Sequence, residues 1–120
     1  MAAVRRLLSL WLPVVLWAGL IFGLSAIPSL SSGLGGWDTV LRKGAHMTEY
    51  AILAVLLRRA VGADLPAFAL ALVYAGTDEL HQSFVRGRHG TPVDVVIDGV
   101  GAAIGLLAFL RARRLRTAAS

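Results

Sequence analysis

Cysteine is absent from the 120 residues. Its absence excludes disulfides, iron–sulfur clusters, thiolate zinc sites and a cysteine nucleophile, and says nothing about compartment. Charge is scarce as well, at 16% of residues against 57% hydrophobic, and the mean hydropathy is +0.71. Soluble domains hold roughly 25% charged and about 45–50% apolar residues. The shortfall argues against an ordinary soluble domain and points to a membrane. No internal repeat or low-complexity linker is visible, and the length fits a single domain over residues 1–120.

What charge there is falls in a pattern. A net charge of +5 and a pI near 11.1 could suit nucleic acid. The distribution argues against that partner, because most of the basic residues sit at the ends of apolar segments and not along one soluble face. Arg5 and Arg6 precede the first apolar run, Arg58 and Arg59 follow the second, and Arg111, Arg113, Arg114 and Arg116 follow the last. Such flanks mark the cytoplasmic side of membrane helices. Both termini are therefore expected in the cytoplasm, with Arg42, Lys43, Arg86 and Arg88 toward the outer half.

The apolar pattern predicts an all-α bundle of four transmembrane helices, at about residues 7–27, 39–57, 66–84 and 92–110. Leu7–Ile27 would span about 31 Å, close to a hydrocarbon core of ~30 Å and too long for the apolar part of a signal peptide. Pro28–Gly36 reads as a loop. Asp38 is the expected N-cap of the second helix, Pro66 the first residue of the third, and Thr91-Pro92-Val93-Asp94 the capped start of the fourth.

The polar residues are spaced for helices. At about 100° per residue, Lys43, His46, Glu49 and Tyr50 share one stripe of the second helix. Tyr74, Asp78, His81 and Gln82 share a face of the third, with Glu79 beside it. Asp94, Asp98, Gly101 and Gly105 form a narrow stripe on the fourth, so two carboxylates run into a G-x-x-x-G pair that admits another helix closely. With helices alternating in direction, all three stripes and the Arg86–Gly90 turn meet near one membrane face. Polar groups at such depth are costly, turn inward and mark function.

Three blocks carry a resemblance. K-G-A-H-M-T-E-Y (Lys43–Tyr50), T-D-E-L-H-Q-S-F-V-R-G-R (Thr77–Arg88) and D-V-V-I-D-G-V-G (Asp94–Gly101) stand in order on successive helices. Over about Leu8–Leu110 the chain resembles the VanZ-like family of small bacterial membrane proteins. The resemblance implies a multi-pass protein of the bacterial cytoplasmic (inner) membrane, tied to the cell envelope and to resistance to the glycopeptide teicoplanin. It brings no enzymatic reaction with it.

The residues themselves allow several chemistries. Recognition of an anionic membrane lipid or lipid-linked envelope precursor would use Arg86 and Arg88 as donor forks and Lys43 as a point charge. Gln82, Asp94 and Asp98 complete that ligand-binding set. An intramembrane hydrolase or transferase would use His46 or His81 as base beside Glu49 or Asp78, with Glu79 as an acid. Whether the chain is an enzyme stays open, since a purely structural polar network explains the same residues. His46-x-x-Glu49 and Asp78-x-x-His81 loosely resemble the carboxylate–histidine pairs of di-metal bundles. Counter-charge from Lys43 and the arginines argues against that, and neither a metal nor another cofactor is expected. The Gly101/Gly105 face is a candidate contact for a homo-oligomer.

Overall fold

A computed structural model describes residues 2–25, 36–84 and 92–119. They form four helices: α1 (Ala2–Ser25), α2 (Gly36–Val61), α3 (Asp64–Gln82) and α4 (Pro92–Ala119). No strand occurs among the described residues. The all-α class and the helix order follow the sequence; the helix ends do not.

α1 starts at Ala2, five residues before the expected Leu7, and departures in the other helices have local causes. α2 begins at Gly36, so Asp38 lies inside its first turn and is not the N-cap. It ends with Arg58 and Arg59 in its last turn, where cations face the negative end of the helix dipole. Gly62, at φ 87°, closes it by donating its N–H to the Arg58 carbonyl at 2.9 Å. α3 then starts two residues earlier than expected, at Asp64 after an extended Ala63. Pro66 is thus third in the helix, still within the first turn, where its missing N–H costs nothing. α4 runs on past Leu110 to Ala119 because the Arg/Ala/Leu-rich segment that follows contains good helix formers and no glycine or proline. Of the predicted loop Pro28–Gly36, Gly36 belongs to α2, and the rest, like the Thr91 cap, lies outside the described residues.

Contacts fix the helix directions. Gly101 meets Met47 and Gly105 meets Ala51, so α4 runs parallel to α2. Tyr74 reaches Ala18 and His81 stacks on Phe22, so α1 runs parallel to α3. α2 and α3 are joined by the two residues Gly62 and Ala63 and run antiparallel. The start of α1 and the ends of α2 and α4 therefore share one end of the bundle, with the eight flanking arginines. The polar stripes lie toward the other.

Small residues set the packing. α2 and α4 make the most extensive interface, and the centre is built from Ala54, Ala67, Ala71, Ala75 and Ala102 with Tyr50, Leu53 and Ile21. Among the described residues α1 touches α2 and α3 but not α4, and leaves Leu7, Leu8, Leu12, Val15, Leu16 and Leu20 outward. Only 11% of its apolar stretch is buried. A helix this apolar and this exposed is of the kind that lies in a membrane or against a partner. By length and apolarity α1 and α4 are candidate membrane spans. Among the described residues two candidate spans stand where four were expected: α2 carries Arg42, Lys43 and Glu49 in its first half, and the 19 residues of α3 include Asp64, Asp78 and Glu79.

Candidate functional site

Three helices turn acids and their partners into the same interior. α2 supplies His46, Glu49 and Tyr50, α3 supplies Tyr74, Asp78, Glu79 and His81, and α4 supplies Asp94 and Asp98. The inward turn is clearest for the acids: Asp78 is 1%, Glu79 6% and Asp98 0% exposed. Tyr50 is fully buried among them, while His46, Glu49, His81 and Asp94 are half-buried.

Two contacts between helices organise the cluster. The Tyr50 hydroxyl donates to Asp78 Oδ2 at 3.3 Å, linking α2 to α3. His46 Nδ1 stands 3.4 Å from Asp98 Oδ1, linking α2 to α4. The second is an ion-pair distance without hydrogen-bond alignment. Both pairs reach across helices, whereas the sequence spacing favoured partners three residues apart on one helix. Tyr50, in the predicted stripe but not among the expected site residues, is thus part of the buried cluster.

Aromatic side chains of α1 and α3 brace the cluster. The Trp17 indole donates to the Glu49 carbonyl at 2.8 Å, and the Tyr74 hydroxyl donates to the Ala18 carbonyl. Phe22 stacks on His81 with ring centroids 3.9 Å apart and planes at 15°. These contacts fasten α1, and they direct the Trp17 and Tyr74 donors to backbone. The sequence offered one signal for them: each is an apolar body with a polar tip, a type that seeks a partner when buried.

The glycines bring the walls together. A β-carbon at Gly101 would lie 2.7 Å from Met47 Cα, and one at Gly105 2.7 Å from Ala51 Cα. The face expected to serve a homo-oligomer is therefore occupied by α2 of the same chain. Gly99, to which the sequence gave no role, faces Leu72 of α3, whose Cδ2 would be 2.9 Å from an added β-carbon.

Of the three cations expected to complete a pocket, Lys43 alone is among the described residues. Lys43 is exposed, one turn from His46 on α2. Arg86, Arg88 and the Gln82 side chain lie outside the described residues. Ser83, two residues from His81 in sequence, is exposed and donates to the Leu80 carbonyl at 2.6 Å.

What results is rich in acceptors. Among the described residues, Asp78 Oδ1 and both Asp98 oxygens accept no hydrogen bond. Burying a carboxylate is expensive unless it is paired and hydrogen-bonded. Such oxygens suit a proton, or a ligand bringing N–H or O–H donors. No three of the described His, Asp and Glu side chains are grouped to hold a metal ion.

Comparison with known proteins agrees with the motif blocks. Residues 4–113 match the family described as VanZ/LLP1. No curated protein and no solved structure matches the chain. With nearly its whole length matched, four helices in order and the three polar blocks on α2, α3 and α4, the chain belongs to the VanZ/LLP1 family.

Proposed function

We propose that this chain is a four-span protein of the bacterial cytoplasmic membrane, with both termini in the cytoplasm. Its polar interior recognises an anionic lipid or lipid-linked envelope precursor from the outer face. The family's link to glycopeptide resistance supports an envelope role. One observation carries the reading of the site: Asp78 and Asp98 are buried with carboxylate oxygens that accept no hydrogen bond from the described residues. In the proposed complex those oxygens take hydroxyl or amine donors of the ligand. Lys43, Arg86 and Arg88 hold its anionic group, with Gln82 and Asp94 beside them. The separation of the eight flanking arginines from the buried acids supports the orientation, since the arginine end belongs in the cytoplasm.

The His46–Asp98 contact favours a second reading, an intramembrane hydrolase or transferase. There Asp98 orients His46 as base, while Glu49, Glu79 and His81 serve proton transfer. Lipids and precursors that remain with the purified protein test the first reading. Wild type should retain one anionic species that Asp78→Asn and Asp98→Asn lose while staying folded. Retention unchanged in both variants would leave the cluster a structural network.

A further inference from the structure

The arginine-rich end carries a feature separate from the polar cluster. Between α2 and α4 lies an apolar groove of about 280 Å³, lined among others by Val55, Leu56, Gly105, Ala108 and Phe109. It exists because α4 shows small residues here: Gly105 lets the helices touch, and neither it nor Ala108 fills the surface above the contact. At the arginine end, Phe109 closes the groove. The Arg58 guanidinium of α2 stands 5.8 Å from its ring centroid and the Arg113 guanidinium of α4 stands 6.0 Å away. One arginine therefore comes from each wall. Asp64 contacts Arg58 Nε at 2.7 Å, which orients that side chain and uses one of its five donors. Arg113 and Arg114 also line a recess with Leu110 and Thr117 just beyond, so the basic surface continues outward.

Apolar groove, closing ring and paired guanidiniums follow one another along the bundle as acyl chain, glycerol and phosphate do in a lipid. Guanidinium forks match phosphate oxygens, and basic pockets between membrane helices bind anionic headgroups. A second copy lying alongside in the same orientation would bring its own arginine end against this one, and like charges oppose that. We propose that the groove between α2 and α4 seats an acyl chain of an anionic phospholipid whose phosphate lies between Arg58 and Arg113.

Native mass spectrometry of the full chain in neutral detergent tests this, with phosphatidylglycerol and phosphatidylcholine added at equal concentration. The wild type should retain phosphatidylglycerol roughly 30-fold better, the effect of two arginines beside an anionic headgroup. Arg58→Gln/Arg113→Gln should abolish that preference, and Ala108→Phe, at an exposed position, should fill the groove and lower retention. Asp64→Asn, which keeps both guanidiniums, and Arg5→Gln/Arg6→Gln, which removes equal charge away from the groove, should retain the lipid. Equal retention of the two lipids by the wild type would overturn the proposal. So would full retention in Ala108→Phe, or equal loss in Arg5→Gln/Arg6→Gln, which assigns the effect to bulk charge. A wild-type dimer that Ala108→Phe abolishes would give the groove to a second copy. Should the double arginine variant fail to fold, the wild-type lipid ratio and Ala108→Phe still decide.

Discussion

Gly101 of α4 rests against the backbone of Met47 in α2, with room for no side chain at all: an added β-carbon would stand 2.7 Å from Met47 Cα. One turn on, Gly105 repeats the contact against Ala51. This parallel pairing sets His46 opposite Asp98, because both pairs lie at successive heights along the same seam. Backbone against backbone cannot yield as a flexible side chain can. Gly101→Ala should therefore destabilise the protein by at least about 1–3 kcal/mol, the usual cost of overpacking. Gly44→Ala, where nothing lies within 4 Å, should be neutral or stabilise by roughly 0.5–1 kcal/mol as glycine leaves a helix. Denaturant unfolding in detergent compares the two, and equal effects would contradict the seam.

Tyr50→Phe removes the donor to Asp78 from a fully buried site. A buried acceptor left unsatisfied costs about 1–3 kcal/mol. The same unfolding measurement should show that loss, and Tyr50→Phe combined with Asp78→Asn should cost less than the sum of the two. Strict additivity would mean the 3.3 Å contact carries no coupling.

α1 should come away first. Among the described residues it packs on α2 and α3 alone, and two of its fastenings are the Trp17 and Tyr74 hydrogen bonds. Trp17→Phe with Tyr74→Phe removes both, at roughly 1 kcal/mol each. Hydrogen exchange should rise in α1 while α2 and α4 stay protected. A uniform rise across the four helices would contradict a peripheral α1.

Opposite membrane faces should carry positions 87 and 112. The chain has no native cysteine, so Gly87→Cys and Ala112→Cys can be labelled one at a time in intact cells and in inverted vesicles. Gly87→Cys should react from outside and Ala112→Cys from the cytoplasm. Labelling of both from one side would sink the four-span topology.

Much of this architecture is legible in the sequence, for identifiable reasons. Helical periodicity marks the four helices and gathers His46, Glu49, Tyr50, Asp78 and Asp98 on inward faces, since spacing along one helix fixes which side chains share a side. Which helix faces which partner is a matter of register between helices, and spacing does not hold it. Hence His46 meets Asp98 and Asp78 meets Tyr50, neither within its own helix. Gly99 shows the same limit, as its reason is the Leu72 side chain on another helix. Helix ends are less legible, because prolines and basic flanks do not fix a boundary to the residue. Proline at 66 is tolerated inside a first turn, and the arginines after Leu110 extend α4 instead of ending it.

The central claim is that the buried acids act on an envelope component and do more than hold helices together. Its most direct test compares envelope lipids and precursors in cells lacking the protein with cells carrying it as wild type or as Asp98→Asn, at matched protein levels. The account predicts that deletion changes one anionic species and that folded Asp98→Asn fails to restore it. Full restoration by Asp98→Asn would contradict the account and reduce the cluster to scaffolding.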